Sequence, residues 1–274
     1  MVLNVVEGTK TSRGVFSDQA GLSKSEGTHV HKIDWDLYLL PYEQAVEELK
    51  VKLKNLRNEL KKRKEHSPIE FVTGRVKSVN SIYNKANRFH FPVDENIAWE
   101  IRDIAGVRII CQFIDDITTV VEMLKERKDM RIYLEKDYVS QPKESGYRGY
   151  HIAAEYPIMT AKGQLTIPVE IQIRTLGMNF WATIEHSLNY KYEGIIPTNI
   201  RQRLFEAAKA SYTLDNEMNN IREEIKDAQM ELTLDQELPI EALLGVELDL
   251  DVDSAVQDDQ PNQEENEEVE GTRN

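Results

Sequence analysis

The chain has 274 residues and a single cysteine, Cys111. One thiol excludes a disulfide framework. Its place in the largely apolar run Val107-Arg108-Ile109-Ile110-Cys111 points to a reducing compartment, with the cytoplasm as the expected location. No apolar run approaches the roughly 18 residues that cross a bilayer. The opening MVLNVVEGTKTSRG lacks the basic start and apolar stretch of a secretory signal, so the protein reads as neither secreted nor membrane-bound. A Walker loop (GxxxxGK[ST]) and a Rossmann loop (GxGxxG) are both missing, which removes the two commonest phosphate cradles.

What the sequence has in excess is acid, with a formal net charge of −14. That would argue against polyanionic ligands if it were spread evenly. It is not: Asp235–Asn274 hold 14 Asp and Glu against one Arg, whereas residues 1–234 carry 33 of the 34 Lys and Arg and a net charge near −1. A local basic site is therefore open to the folded part. Composition divides the chain into a Gly/Ser/Thr/Lys-rich flexible arm (1–33), a folded domain (34–232) and an acidic, aromatic-free disordered tail (233–274).

Within the domain, Tyr42, Val46, Leu49, Leu53, Leu56 and Leu60 repeat at spacings of four and three. This predicts a long helix over about 36–64, capped by Asp34 or Asp36 and tolerating Pro41 near its start. A second seam runs through Ile200, Leu204, Ala207, Leu214, Met218, Ile221, Ile225 and Ala228. Two such seams suit packing on each other, on another subunit, or on the monomer's own sheet. Between them the period shortens. Strands are expected near 71–76, 107–113, 131–134, 150–156 and 165–174, and helices near 79–88, 116–127 and 178–190. The result is an α+β fold with a mixed β-sheet flanked by helices.

Several patterns could carry chemistry. In Val169–Arg174, Glu170, Gln172 and Arg174 alternate with Val169, Ile171 and Ile173, which gives either a solvated face or a working one. In Asp103-Ile104-Ala105-Gly106-Val107-Arg108, Asp103 reads as a turn residue and Gly106 as a helix C-cap, but neither explains Arg108 in an apolar strand. Arg75, Lys77, Ser78, Ser81, Lys85 and Arg88 recur where a strand yields to a helix, as a solvated basic face or a polyphosphate cradle would. Lys143-Glu144-Ser145-Gly146-Tyr147-Arg148-Gly149-Tyr150-His151 is a loop that mixes glycines, cations and a tyrosine able to stack on a base. Histidines 29, 31, 66, 90 and 186 form no metal pair by spacing, and His186 reads as a packed core or interface residue.

Taken in order, Phe71–Lys77, Asp103–Arg108, Lys143–Arg148, Glu170–Thr175 and Asn179–His186 resemble the blocks of the alarmone synthetases, most closely the small single-domain subgroup of the RelA/SpoT synthetase family. The resemblance spans about residues 35–232. It implies a nucleotidyltransferase-like fold and transfer of pyrophosphate from ATP to the 3′-hydroxyl of GDP or GTP, giving ppGpp or pppGpp and AMP, with Mg²⁺ as cofactor. It further implies that Arg75 and Arg108 sandwich adenine and that Lys77, Ser81, Lys85 and Arg88 hold the ATP phosphates. Asp103 and Glu170 would be the catalytic and metal-binding acids, Tyr147 would stack on guanine, and Lys143, His151 and Gln172 would complete the acceptor site. The small subgroup also implies a homotetramer with an alarmone bound at a central allosteric cleft through Lys50, Lys54, Phe71, Thr73 and Asn179. The chain lacks the His-Asp dipeptide that the hydrolase domain of longer relatives uses, so synthesis without hydrolysis is expected. Single-stranded RNA is a further candidate partner, whereas direct ribosome contact is not expected.

Chemistry alone asks for the same residue types, since a ribose hydroxyl needs a base or metal beside it and positive charge on the phosphates. Two alternatives use similar parts: a nucleotidyltransferase acting on another nucleotide or an RNA end, and a non-catalytic RNA-binding regulatory module. Against the second, two acids in a basic pocket add nothing to polyanion binding.

Overall fold

The computed structural model describes residues 33–191 and 196–236. The arm and the acidic tail read from the sequence lie outside the described residues, apart from residue 33 and residues 233–236. In chain order the elements are α1 (Trp35–Lys62), β1 (Phe71–Val76), α2 (Val79–Phe89), α3 (Ile97–Ile101), β2 (Ala105–Cys111), α4 (Ile114–Glu126), β3 (Arg131–Asp137), β4 (Tyr150–Thr160), β5 (Gly163–Thr175), α5 (Leu176–Lys191) and α6 (Thr198–Gln236). The five strands form one mixed sheet in the order β1-β2-β5-β4-β3, with β2 and β5 parallel and every other pair antiparallel.

Side chains alternate across a sheet, so the register assigns each residue to a face. Val72, Val107, Ile109, Val169, Ile171, Ile173, Ile152 and Ala154 share one face and are all buried. α1 covers that face. Asp34 caps it by accepting from the Leu37 amide, and Tyr42, Ala45, Val46, Leu49 and Leu53 bury the first seam against the strands. At about 25 cal/mol per Å² of apolar surface, this layer is the main source of stability. The approach is closest at Gly74, where a Cβ would lie 2.5 Å from Val46 Cγ1, so the glycine of the first motif is needed for helix–strand contact.

The opposite face collects Thr73 and Arg75 of β1, Gly106 and Arg108 of β2, Glu170, Gln172 and Arg174 of β5, and His151 of β4. Arg75 at its edge is exposed, but the centre is not an ordinary solvated face, because Arg174 is buried and Arg108, Glu170, Gln172 and His151 are half-buried. Polar groups withdrawn from water on a rigid sheet are what a binding site requires.

One sequence reading needs correction. Gly106 is not a helix C-cap: Arg102, at φ +59°, takes the left-handed position that ends α3, and Gly106 lies inside β2. The short helix α3 itself escaped notice, because one turn burying Ile97, Ala98 and Ile101 is too short to show a period. The second seam also behaves differently from the first. Ile200, Leu214, Met218, Ile221 and Ile225 of α6 are exposed, and the helix docks instead through Phe205, Ala208, Tyr212, Asp215, Asn219 and Arg222. That stripe also recurs at three and four, but its polar members hid it from a hydrophobic pattern.

Gly74→Ala is expected to destabilise the protein by about 1–3 kcal/mol through overpacking. The double variant Gly74→Ala/Val46→Ala should lose less than the sum of the two single changes in urea unfolding, because the second change removes the methyl that the first one strikes.

Candidate active site

The turn out of α3 places Asp103 at the entrance to β2, and the Lys77 amide donates to the Ile104 carbonyl at 2.8 Å, tying the end of β1 to the same turn. Asp103 then meets two ammonium groups, with Oδ2 2.9 Å from Lys77 Nζ and Oδ1 2.9 Å from Lys85 Nζ. Lys85 comes from α2, whose first turn Ser78 caps by accepting from the Ser81 amide. One carboxylate thus orients two cations from different elements and leaves a net positive charge at the mouth of the sheet.

Beside it lies a closed ring of side-chain hydrogen bonds. Arg174 Nε donates to the Tyr147 hydroxyl at 3.2 Å, and that hydroxyl lies 2.5 Å from His151 Nε2. His151 Nδ1 is 3.3 Å from Glu170 Oε1, Gln172 Nε2 donates to Glu170 Oε2 at 2.7 Å, and Arg174 Nη2 donates to Gln172 Oε1 at 2.7 Å. Burial alone would raise the Glu170 pKa; the His151 hydrogen bond and charge, the Gln172 amide and the Lys85 charge outweigh it and bring it down to about 2.

Arg108 faces this ring from β2 with its Nε buried and without a hydrogen-bond partner. Burial, then the charges of Arg174 and Arg75, lower its pKa to about 10 against a partial offset from Tyr147 and Glu170. Among the described residues none of these three arginines forms an ion pair. Like charges converging without a counterion mark a place where an anion binds.

Most of the residues singled out in the sequence meet here: Arg75, Lys77, Lys85, Asp103, Arg108, Tyr147, His151, Glu170 and Gln172. Ser81 and Arg88 are exposed on α2, and Lys143 sits over the rings of Tyr138 and Tyr147 at 4.7 and 4.8 Å. The Tyr147 ring is only 9% exposed, with Tyr138 and His151 at its edges and the Lys143 and Arg174 cations near it, so a stacked base must displace a covering cation. The proposed allosteric residues occupy three elements, with Lys50 and Lys54 on α1, Phe71 and Thr73 on the edge strand β1, and Asn179 on α5, where its Oδ1 is buried without a partner. His186 is exposed on α5 and outside the core, and His66 pairs with Asp116 at 2.7 Å. Sequence reasoning did not place Arg174 in the site, although its alternation with Glu170 and Gln172 carried the signal. Tyr138 had none, because its contacts form only when β3 and β4 pair.

Among the described residues no group of three or more His, Cys, Asp or Glu is set to hold a metal. Two carboxylates, Asp103 and Glu170, both near Lys85, are the oxygen donors present. That set suits Mg²⁺, which takes one or two carboxylates and completes its shell with water and phosphate.

The comparisons with known proteins agree with this geometry. Residues 74–195 match the family described as the region found in RelA / SpoT proteins. GTP pyrophosphokinase YjbM of Bacillus subtilis (strain 168) is 55% identical over 195 residues, 71% of this chain and 92% of the relative. The chain belongs to the RelA/SpoT family. The crystal structure of small alarmone synthetase 1 from Bacillus subtilis bound to its product pppGpp superposes with a TM-score of 0.67 at 55% identity, covering 70% of this chain and 97% of that one. The same synthetase bound to AMPCPP gives 0.62 at 51% identity, covering 70% and 98%. For this RelA/SpoT-family chain the α+β architecture, a five-stranded mixed sheet flanked by helices, is that of the small alarmone synthetases.

The depressed pKa of Glu170 predicts a pH dependence. Its folded-state value of about 2 lies below the ordinary 4.5, so its stabilising contribution is complete above pH 4.5 and is lost as pH falls toward 2. The wild type should lose about 3 kcal/mol more than Glu170→Gln across that window, measured by denaturant unfolding at each pH.

Proposed function

We propose that the protein is a GTP pyrophosphokinase that transfers pyrophosphate from ATP to the 3′-hydroxyl of GDP or GTP. The observation that carries this reading is the convergence of Arg75, Arg108 and Arg174 beside the Lys77–Asp103–Lys85 cluster and the Glu170 ring. ATP would place its adenine between Arg75 and Arg108 and the negative charge of its phosphates beside them at Lys77 and Lys85, and an acceptor hydroxyl beside Glu170 meets a carboxylate. The relatives bound to pppGpp and to AMPCPP, an adenosine triphosphate with carbon between its α and β phosphorus atoms, support both halves.

In this reading Arg75 and Arg108 flank the adenine, and Lys77, Lys85, Ser81 and Arg88 receive the ATP phosphates. Tyr147, Lys143, His151 and Gln172 hold the acceptor. The 3′-oxygen forms a bond to the β-phosphorus, the bond from that phosphorus to the α–β bridging oxygen breaks, and its electron pair leaves with AMP. The hydroxyl proton goes to Glu170. A carboxylate with a pKa near 2 is a poor base at neutral pH. Phosphates bound at Lys85 neutralise one of the charges that hold it there, so ATP raises the basicity of Glu170 when it is needed. Asp103 and Glu170 are the residues that would hold Mg²⁺, which would supply charge neutralisation on the transferring phosphates. The rest of the catalysis is positioning and electrostatics.

The exposed apolar residues support an assembly of several copies. Leu176, Phe180, Ile184 and Leu188 form a stripe on α5, and Ile200, Leu214, Met218, Ile221 and Ile225 form another on α6. These faces suit burial between copies in a homotetramer, with an alarmone as allosteric activator near Lys50, Lys54, Phe71, Thr73 and Asn179. No described helix is long and apolar enough to cross a membrane, and the cytoplasm is the proposed location.

The test is purified protein with ATP, Mg²⁺ and GDP or GTP, followed by product chromatography. AMP and a guanosine carrying a 3′-pyrophosphate are expected; pyrophosphate release with a nucleotide joined to another acceptor would favour nucleotidyl transfer instead. Glu170→Gln should fold and bind both nucleotides yet lose about 10²- to 10⁴-fold in turnover. Asp103→Asn should recover in part as Mg²⁺ is raised, and Glu170→Gln should not.

A further inference from the structure

The loop between β3 and β4 that carries Lys143 and Tyr147 is held from outside the sheet. On one side of Tyr147, Gly146 sits at φ +89° so close to α6 that a Cβ there would lie 2.6 Å from the Ala208 Cβ and 3.2 Å from Phe205 Cδ2. On the other side, the Arg148 guanidinium lies 3.6 Å from the centroid of the Tyr212 ring, well inside the roughly 6 Å reach of a cation–π contact. The same guanidinium donates from Nη1 to the Val139 carbonyl, near the start of the loop. Arg148 therefore links three points: its own position beside Tyr147, the loop's other limb, and α6.

α6 is well anchored to receive that load. Asp215, one turn beyond Tyr212, accepts from the Thr175 hydroxyl at 2.6 Å at the junction of β5 and α5. Arg222 Nη1 reaches the buried Asp116 of α4 at 3.1 Å, and Trp181 of α5 donates to the Leu204 carbonyl at 2.9 Å. The helix is thus fixed to the framework independently of the loop. An ordered loop binds a ligand without the entropy cost of ordering it at that moment.

We infer that Tyr212 is a positioning residue for the acceptor nucleotide: through Arg148 it holds the Lys143–Tyr147 loop in its binding geometry. This rests on the proposed acceptor role of that loop. The Asp103 cluster and the arginines that would take ATP stand on β1, β2 and α2, which the loop does not include, so loss of the brace falls on one substrate. The ring face matters, and the Tyr212 hydroxyl does not.

The experiment is steady-state AMP release with GDP varied at saturating ATP and with ATP varied at saturating GDP. It compares wild type, Tyr212→Phe, Tyr212→Leu and Arg148→Lys, with hydrogen–deuterium exchange on each full-length protein without nucleotide. Tyr212→Leu should raise KM for GDP about three- to thirtyfold while KM for ATP stays within about twofold. Tyr212→Phe should match wild type. Arg148→Lys keeps the charge but loses the planar face, and should follow Tyr212→Leu; it carries the test alone if the leucine variant does not fold. Amides of residues 139–149 should exchange faster while those of α6 and β5 keep their protection. An unchanged KM for GDP overturns the inference, as does an equal rise for both nucleotides with protection lost along α6, which is what a merely structural ring would give. If wild type releases no AMP, the acceptor reading fails, and exchange over 139–149 still decides whether Tyr212 braces the loop.

Discussion

Arg75, Arg108 and Arg174 are brought onto one face of the sheet by strand register, and their mutual repulsion is the constraint around which the rest is arranged. Among the described residues Tyr147 and Glu170 offset it only in part. Asp103 is engaged by two lysines, and Glu170 is engaged by His151 and Gln172. The unfavourable charge is tolerated because the same strands bury Val107, Ile109, Val169, Ile171 and Ile173 on their other face against α1. A face that costs stability and a face that supplies it are two sides of one alternating pattern.

That arrangement links the proposed substrate sites through one network of contacts. The ring from Tyr147 through His151, Glu170, Gln172 and Arg174 joins the residues proposed to hold the acceptor to the working carboxylate. Lys85 joins the phosphate side to the same carboxylate through its charge. In the proposed function, binding on either side would change the basicity of Glu170, so that chemistry is favoured when both substrates are present. α6 stands behind the acceptor loop, docking by one stripe and exposing another.

Much of this was legible in the sequence where a pattern maps onto geometry. Alternation in Val169–Arg174 located the polar face, the spacing of Tyr42, Val46, Leu49 and Leu53 located the covering helix, and five ordered motifs located the family. What stayed hidden depends on tertiary placement. Arg102 adopts a left-handed backbone that usually favours glycine, so the glycine that the sequence offers as a cap, Gly106, lies inside β2 instead. The buried stripe of α6 mixes Phe205, Tyr212, Asp215 and Arg222, whose inward role comes from partners distant in sequence. The near-complete enclosure of Tyr147 likewise arises from Tyr138, Lys143 and Arg174 closing around it.

The central claim is that the converging arginines are maintained against their own repulsion in order to bind ATP. Thermal unfolding of wild type and Arg108→Met, each with and without ATP and Mg²⁺, tests it most directly. The account predicts that Arg108→Met melts higher than wild type without nucleotide, because a half-buried charge set beside two like charges is replaced by an apolar chain of similar length, and that ATP then adds little further stabilisation. An Arg108→Met protein that melts lower without nucleotide, yet gains as much from ATP as wild type does, would contradict it.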